Sequence, residues 1–230
     1  MPSRRTLLAL GVTLGLVALI GAVVVPLLLP GDDSGDADAV VDPNAPVVAF
    51  YGDSYTLGTG ASDPAERWST RIAEDRGWTE FNPSVNGLGF VNNRQSFDGD
   101  DLPALIIAED PDIVFVTMGL NDNFSYDRAA ADIETQITRD FDRLTEGLPD
   151  ARFIVVEPFW YTEERPDSVE TIIGWVRDAA AAIDADYIPG ASTWIRGQDE
   201  FMAPDGLHPN DAGYGHMAEL MDAALVDLGL

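Results

Sequence analysis

The sequence contains no cysteine and no lysine, and these absences exclude several classes of site. Without cysteine the chain can form no disulfide, no thiol nucleophile and no thiolate metal site. Without lysine, arginine is the only strongly basic side chain, and the formal net charge at pH 7 is -27. Such a surface repels the phosphate backbone of nucleic acids. We therefore expect no nucleic-acid partner.

Histidine is scarce as well, since the chain has two, His208 and His216. Two histidines, no cysteine and no His-Glu-x-x-His motif leave no recognisable zinc set, although aspartate is abundant. We expect Asp53 and Asp122, which lie within the polar motifs described below, to order loops and not to bind a metal. If a histidine acts as a base, it is one of these two, and His216 is expected on the polar surface of the C-terminal helix.

The N-terminus carries an uncharged stretch, Thr6–Leu29, directly after Arg4 and Arg5. At about 1.5 Å per residue, a helix over this stretch can cross a hydrocarbon core of roughly 30 Å. The arginine pair also resembles a twin-arginine export signal, with a small-residue cleavage site at residues 37–39. A membrane anchor and a cleaved signal both stay open, and both place the following chain outside the cytoplasm. The predicted segments are an anchor or signal over 1–30, an acidic linker over 31–45 and a globular domain over 46–230.

Strand and helix patterns alternate along residues 46–230. The strand candidates are apolar runs, typical of parallel strands covered on both faces, and the helical candidates repeat apolar residues every three or four positions. This alternation predicts right-handed βαβ units and hence a parallel sheet between two helix layers. The predicted strands are Val47–Tyr51, Thr79–Asn82, Ile113–Met118 and Phe153–Val156, and the predicted helices lie around Pro64–Arg76, Ala130–Leu144, Val169–Ile183 and Met217–Leu225.

Polar motifs follow three of these strands at the point where each strand ends. Ser54 comes just after the first strand, residues 86–89 follow the second, and residues 119–122 follow the third. Open α/β sheets bind ligands beyond the carboxyl ends of their strands. We therefore expect the three motifs to meet at one site.

Ser54, His208 and Asp205 have the residue types of a nucleophile, its base and the group that orients the base. A serine hydroxyl needs a base to take its proton, and the base needs a partner that fixes its tautomer. Asp205 precedes His208 by three residues, so it can reach imidazole Nδ1 and leave Nε2 to face Ser54. Each residue alone is open to an ordinary structural reading, but the three together predict acyl-transfer chemistry.

Acyl transfer also needs preorganised donors for the developing oxyanion. The backbone N–H of Ser54, the backbone N–H of Gly87 and the side-chain amide of Asn121 are the candidates. Gly89 competes with Gly87, because both lie in the same motif.

Four motifs occur in order along residues 50–210: Phe50-Tyr51-Gly52-Asp53-Ser54, the cluster around Gly87, Gly119-Leu120-Asn121-Asp122 and Asp205-Gly206-Leu207-His208-Pro209-Asn210. In this order they resemble the four blocks of the SGNH (GDSL) hydrolase family. The resemblance implies a flavodoxin-like three-layer α/β/α fold and ester hydrolysis without a metal or cofactor. It implies that Ser54 is the nucleophile, that Gly87 and Asn121 are oxyanion donors, and that Asp205 and His208 complete the triad.

The expected function is that of a serine esterase acting on small or medium acyl esters, with O-acetyl groups on carbohydrate as one candidate. Acyl transfer to a sugar or lipid hydroxyl uses the same residues and stays open, as does a carbohydrate-binding domain without turnover. The expected partners are a small-molecule or glycan ester and, if residues 6–29 are uncleaved, a membrane. Phe159, Trp160 and Tyr161, after the fourth strand, either wall a substrate pocket or pack in the core.

Overall fold

Five short parallel strands form the central sheet of the computed structural model, which describes residues 42–96 and 101–230. Apart from the partly exposed Val47 and Arg152, which begin two of them, the three middle strands consist of buried apolar side chains, so the sheet is covered on both sides. The strands are β1 (Val47–Tyr51), β2 (Thr79–Phe81), β3 (Ile113–Val116), β4 (Arg152–Val156) and β5 (Asp186–Ile188), in the spatial order β2-β1-β3-β4-β5.

In the part of the chain that the structure describes, six α-helices cover the two faces of this sheet. Helices α1, α2 and α6 contribute to one apolar cluster, and α3 and α4, together with one face of α5, contribute to the other. The helices are α1 (Ser54–Leu57), α2 (Trp68–Arg76), α3 (Leu102–Glu109), α4 (Tyr126–Gly147), α5 (Asp167–Ala182) and α6 (Asp211–Asp227). The strand order is that of flavodoxin, and the predicted three-layer α/β/α fold is confirmed.

The parallel register brings the ends of the strands to one edge. Phe50 pairs with Phe115 and Tyr51 with Val116, so β1 and β3 end side by side. Because all pairs in the sheet are parallel, the loops that follow β1, β2 and β3 leave from the same edge. These loops carry the three polar motifs.

The sequence patterns misplaced several element boundaries. The helix expected over Pro64–Arg76 is split, because Arg67 adopts extended backbone between a 3-10 turn and α2. The second strand ends at Phe81 and the third at Val116, both earlier than predicted. Three further elements, α1, α3 and β5, were not predicted.

The predicted anchor or signal over residues 1–30, and with it the stretch 6–29, lies outside the described residues, as does most of the predicted linker over 31–45. Within residues 42–96 and 101–230, no helix is both long and apolar enough to cross a membrane.

Candidate active site

Ser54 is the first residue of α1, three positions after the end of β1. The carboxylate of Asp53 caps this helix by accepting the backbone N–H of Tyr55 at 3.0 Å. The N–H of a first helical residue has no partner inside its helix, and within the described ranges the Ser54 N–H has no other acceptor. This N–H is therefore available to an incoming oxygen.

The two candidate glycines differ in what their N–H groups do. The N–H of Gly89 donates to the backbone oxygen of Asn92 at 2.9 Å, whereas the N–H of Gly87 has no acceptor in the described part of the chain. A Cβ at Gly89 would also lie 2.6 Å from the Asp122 carboxylate, so a side chain there would displace that group. The geometry favours Gly87 as the donor and gives Gly89 a packing role.

The side chain of Asn121 joins the loops that follow β1, β2 and β3. It is buried, and its Nδ2 donates to Asp53 Oδ2 at 3.1 Å and to the Leu88 carbonyl at 3.0 Å. An amide nitrogen carries two hydrogens. Both are therefore already engaged with protein acceptors, which matters for any role in an oxyanion hole.

Two buried carboxylates, Asp53 and Asp122, organise the loops around Ser54. Asp122 accepts the backbone N–H groups of Phe90, Val91 and Asn92 at 2.7, 2.9 and 3.1 Å, so it orders that loop. Burial, together with the nearby charge of Asp122, raises the pKa of Asp53 to about 7. Burial also raises the pKa of Asp122. Among the described residues no group of three or more histidines and carboxylates is arranged to hold a metal ion.

Asp205 and His208 form the hydrogen bond that their spacing predicts. His208 Nδ1 lies 2.7 Å from Asp205 Oδ2. The other oxygen, Oδ1, accepts the backbone N–H groups of Leu207 and His208 at 2.9 and 3.0 Å, so the carboxylate is held in place by its own loop. The hydrogen bond to the imidazole and these two N–H groups lower the pKa of Asp205 to about 2.

Two tyrosines that the sequence did not single out join the Ser54 segment to the C-terminal part of the chain, Tyr55 through the Asp205 loop and Tyr214 through α6. Tyr55 Oη donates to the Leu207 carbonyl at 2.6 Å, and its ring centroid lies 6.1 Å from that of His208. Tyr214, in α6, donates to the Thr59 carbonyl at 2.8 Å. The only sequence signal for Tyr55 was its place directly after Ser54.

Gly60 allows a close backbone approach between the Ser54 segment and the loop that carries His208. It has a φ of +96°, and a Cβ there would lie 2.4 Å from the Pro209 carbonyl and 3.2 Å from His208 Cβ. No hydrogen bond joins Ser54 Oγ to His208 within residues 42–96 and 101–230. Hydrogen bonds of this kind are often long in the absence of substrate.

Comparison with known proteins gives this arrangement a family. The family model for the GDSL-like lipases and acylhydrolases matches residues 50–216. The chain belongs to this family. It is also similar to a GDSL lipase of Mycobacterium tuberculosis, at 29% identity over 237 residues that cover 94% of this chain and 96% of that protein.

Solved structures share the fold of this GDSL-like chain. The psychrotrophic esterase EstA from Pseudoalteromonas sp. has a TM-score of 0.62 at 16% identity, covering 80% of this chain and 98% of that one. A family two carbohydrate esterase from Clostridium thermocellum has a TM-score of 0.63 at 15% identity, covering 81% and 66%. A salicylyl-acyltransferase from a tetracycline biosynthetic pathway has 0.64 at 19% identity, covering 81% and 55%.

The three aromatic residues predicted to line either a substrate pocket or the core, Phe159, Trp160 and Tyr161, occupy two different environments. Phe159 and Trp160 are buried in the core, and Phe159 stacks on Tyr55 at 5.7 Å between ring centroids. Tyr161 instead lines a groove of about 390 Å³ beside the Asp205 loop. The other walls of this groove come from residues 162–163 and from within residues 197–206.

His216 is more covered than the surface position predicted for it. It is half-buried in α6, and its ring stacks on Phe201 with centroids 4.8 Å apart. This contact explains its position by packing.

Proposed function

We propose that the chain is a serine esterase that cleaves small or medium acyl esters through an acyl-enzyme. Ser54 is the nucleophile, His208 the base and Asp205 the group that orients the base. The strongest support is the 2.7 Å contact between Asp205 Oδ2 and His208 Nδ1, on a loop that Tyr55 ties to the Ser54 helix. With Nδ1 bonded to the carboxylate, Nε2 is the nitrogen left to take the serine proton.

The reaction has two halves, and in each of them His208 first accepts a proton and then donates it. Nε2 takes the proton of Ser54 Oγ as this oxygen attacks the ester carbonyl. The imidazolium, stabilised by Asp205, then protonates the alcohol that leaves. In the second half His208 takes a proton from water, which attacks the acyl-enzyme, and returns it to Ser54 Oγ.

The backbone N–H groups of Ser54 and Gly87, which have no acceptor among the described residues, support an oxyanion hole made by these two residues. One such donor contributes roughly 3 kcal/mol of transition-state stabilisation. Asn121 is the third proposed donor, and it must first release one of its present acceptors. We expect it to release the neutral Leu88 carbonyl and keep Asp53, because an oxyanion is a stronger acceptor than a carbonyl.

Hydrolysis of p-nitrophenyl acetate and butyrate by the full chain, beside Ser54→Ala and with a chelator present, tests this function. We expect the variant to lose at least about a thousandfold in kcat/KM, with no effect of chelator. Equal rates in the two proteins would overturn the serine mechanism, and the absence of turnover in either would favour a binding domain.

Acyl transfer to an acceptor hydroxyl is the second candidate. The groove beside the Asp205 loop supports it, since an acceptor alcohol must approach His208 and the groove borders that loop. A structural neighbour is named as an acyltransferase. Product analysis with and without cellobiose or glycerol separates the two reactions, because transfer yields an acylated acceptor and hydrolysis yields free acid.

O-acetyl groups on carbohydrate remain one proposed substrate. The likeness in fold to family two carbohydrate esterases, one of them solved with cellohexaose, supports testing acetylated oligosaccharides. Release of acetate from acetylated xylan or cellobiose, compared with release from p-nitrophenyl acetate, measures this preference.

An extracytoplasmic location is likewise proposed, on the N-terminal sequence alone. Cell fractionation of the full chain beside a variant that lacks residues 1–30 tests it.

A further inference from the structure

Phe124 is one of two large apolar side chains that the described residues leave exposed, the other being Val226. Their exposed fractions are 50% and 60%. Isolated apolar side chains on a surface are ordinary, and Val226, near the end of α6, is such a case. Exposure alone therefore does not mark a functional residue, but the position of Phe124 beside the proposed active site gives a reason to assign it a role.

The turn that carries Phe124 is anchored on every side except at Phe124. In this 3-10 segment, Leu120–Ser125, the flanking polar side chains all bond inward. Asn123 accepts from Ser168 Oγ at 2.6 Å, and Ser125 donates to Asn92 Oδ1 at 2.5 Å. Together with the inward bonds of Asn121 and Asp122 described above, these contacts fix the backbone that presents the exposed ring.

The same turn relates Phe124 to the proposed oxyanion hole. In a 3-10 helix, residues three apart lie one above the other, about 6 Å apart along the axis at roughly 2.0 Å per residue. Phe124 is three residues after Asn121, so both lie on one face of the turn. Asn121 is buried and donates to Asp53, the neighbour of Ser54, whereas Phe124, one turn further along the same face, is exposed.

We propose that Phe124 sets acyl-chain specificity by packing against the chain of acyl groups longer than acetyl. This proposal rests on the proposed esterase function and adds a residue that contacts the substrate. An aromatic ring on a fixed turn gives an apolar surface without having to be ordered on binding, which favours affinity.

The mechanism indicates that Phe124 contacts the acyl chain of the substrate and not its alcohol. The leaving alcohol must lie against His208, since that residue protonates it. His208 lies against Tyr55 and Gly60, on the loop that Tyr55 of α1 holds by its hydrogen bond to Leu207. Phe124 belongs instead to the Asn121 turn, which packs against α4 and α5. The acyl chain is the substituent left to meet the ring.

The test compares p-nitrophenyl acetate with p-nitrophenyl octanoate on the full chain, on Phe124→Ala and on Val226→Ala as the matched exposed control. We expect Phe124→Ala to lower kcat/KM for the octanoate by about tenfold and to change that for the acetate by less than about twofold. Val226→Ala should leave both values unchanged. Phe124→Leu, which restores an apolar side chain, should recover part of the octanoate activity.

A binding measurement keeps this proposal separate from the esterase assignment. Octanoate is titrated calorimetrically into Ser54→Ala and into Ser54→Ala with Phe124→Ala, and we expect weaker binding to the second protein. Three results would overturn the role of Phe124. The first is an unchanged affinity for octanoate, and the second is a kcat/KM for p-nitrophenyl octanoate that Phe124→Ala does not alter. The third is an equal loss of kcat/KM for the acetate and the octanoate esters. The last result would place the ring against the nitrophenyl group. Retained activity in Ser54→Ala sinks the serine mechanism instead and leaves the titration to decide on Phe124.

Discussion

The carboxylates on the two sides of the site differ in burial and in function. Asp53 and Asp122, on the side of the proposed oxyanion hole, are fully buried, and burial raises the pKa of both. Asp205, on the side of the proposed base, is exposed, and its hydrogen bond to His208 lowers its pKa to about 2. The first two bond to amides of neighbouring loops, and the third bonds to an imidazole.

This difference shows how a chain with 40 acidic residues can give identical side chains different roles. A buried carboxylate must collect donors to offset the loss of water, so it holds loops together. An exposed carboxylate keeps its charge at little cost and can stabilise an imidazolium. Variants of each kind should therefore fail in different ways.

The base should show the largest effect on activity. We expect His208→Gln to lower kcat by about ten-thousandfold, while His216→Gln, which alters the other histidine of the chain, stays within about twofold of wild type. Steady-state hydrolysis of p-nitrophenyl butyrate measures both. Comparable losses in the two variants would contradict the assignment of His208.

The paired variants Asp122→Ala and Asp205→Ala should separate stability from activity. Removing the Asp122 carboxylate leaves three loop N–H groups without their acceptor, so we expect a loss of about 3 kcal/mol in the free energy of unfolding. Asp205→Ala should cost less than about 1 kcal/mol, because the position is exposed, yet lower kcat by about a thousandfold or more.

Urea unfolding and kinetics on the same preparations measure this pair. If Asp205→Ala loses as much stability as Asp122→Ala, or keeps its activity, the separate roles of Asp122 in stability and of Asp205 in catalysis are contradicted.

The pH dependence of stability should reveal Asp53. Its pKa is 3.8 when unfolded and about 7 when folded, so between these values the folded state binds the proton more tightly. The contribution of Asp53 is full below pH 4 and is lost as the pH rises toward 7. Between pH 5 and 6.5 the loss should reach about 2 kcal/mol, at 1.36 kcal/mol per pH unit.

Asp53→Asn removes that titration, so its free energy of unfolding should fall less than that of the wild type over the same interval. Denaturant midpoints at the two pH values give the comparison. Parallel pH profiles in the two proteins would show that Asp53 titrates normally. Asp205 has the opposite sign, since its lowered pKa makes its contribution appear above pH 4 and disappear as the pH falls toward 2.

The sequence predicted the elements whose pattern is strong and local. β1 and the long helices α4 and α5 follow from apolar runs and three-to-four spacing, and the fold class follows from their alternation. β5 was missed because it is a three-residue edge strand, Asp-Tyr-Ile, without an apolar run. α3 was missed because its apolar run carries no helical period.

Contacts between segments that are distant along the chain could not be predicted from the sequence. The spacing of Asp205 and His208 predicted their hydrogen bond, because a three-residue separation on a loop fixes the reach. The engagement of both Asn121 hydrogens depends on Asp53 and Leu88, 68 and 33 residues away along the chain. Such pairings exist only once the sheet has brought the loops to one edge.

Covalent labelling tests the central claim most directly. The full chain and Ser54→Ala are each treated with diethyl p-nitrophenyl phosphate, and intact mass and peptide mapping locate the adduct. We predict one diethylphosphoryl group on Ser54, loss of esterase activity in step with labelling, and no adduct in Ser54→Ala. Full activity in an unlabelled protein, or labelling at another residue with the same loss of activity, would contradict the assignment of Ser54 as the nucleophile.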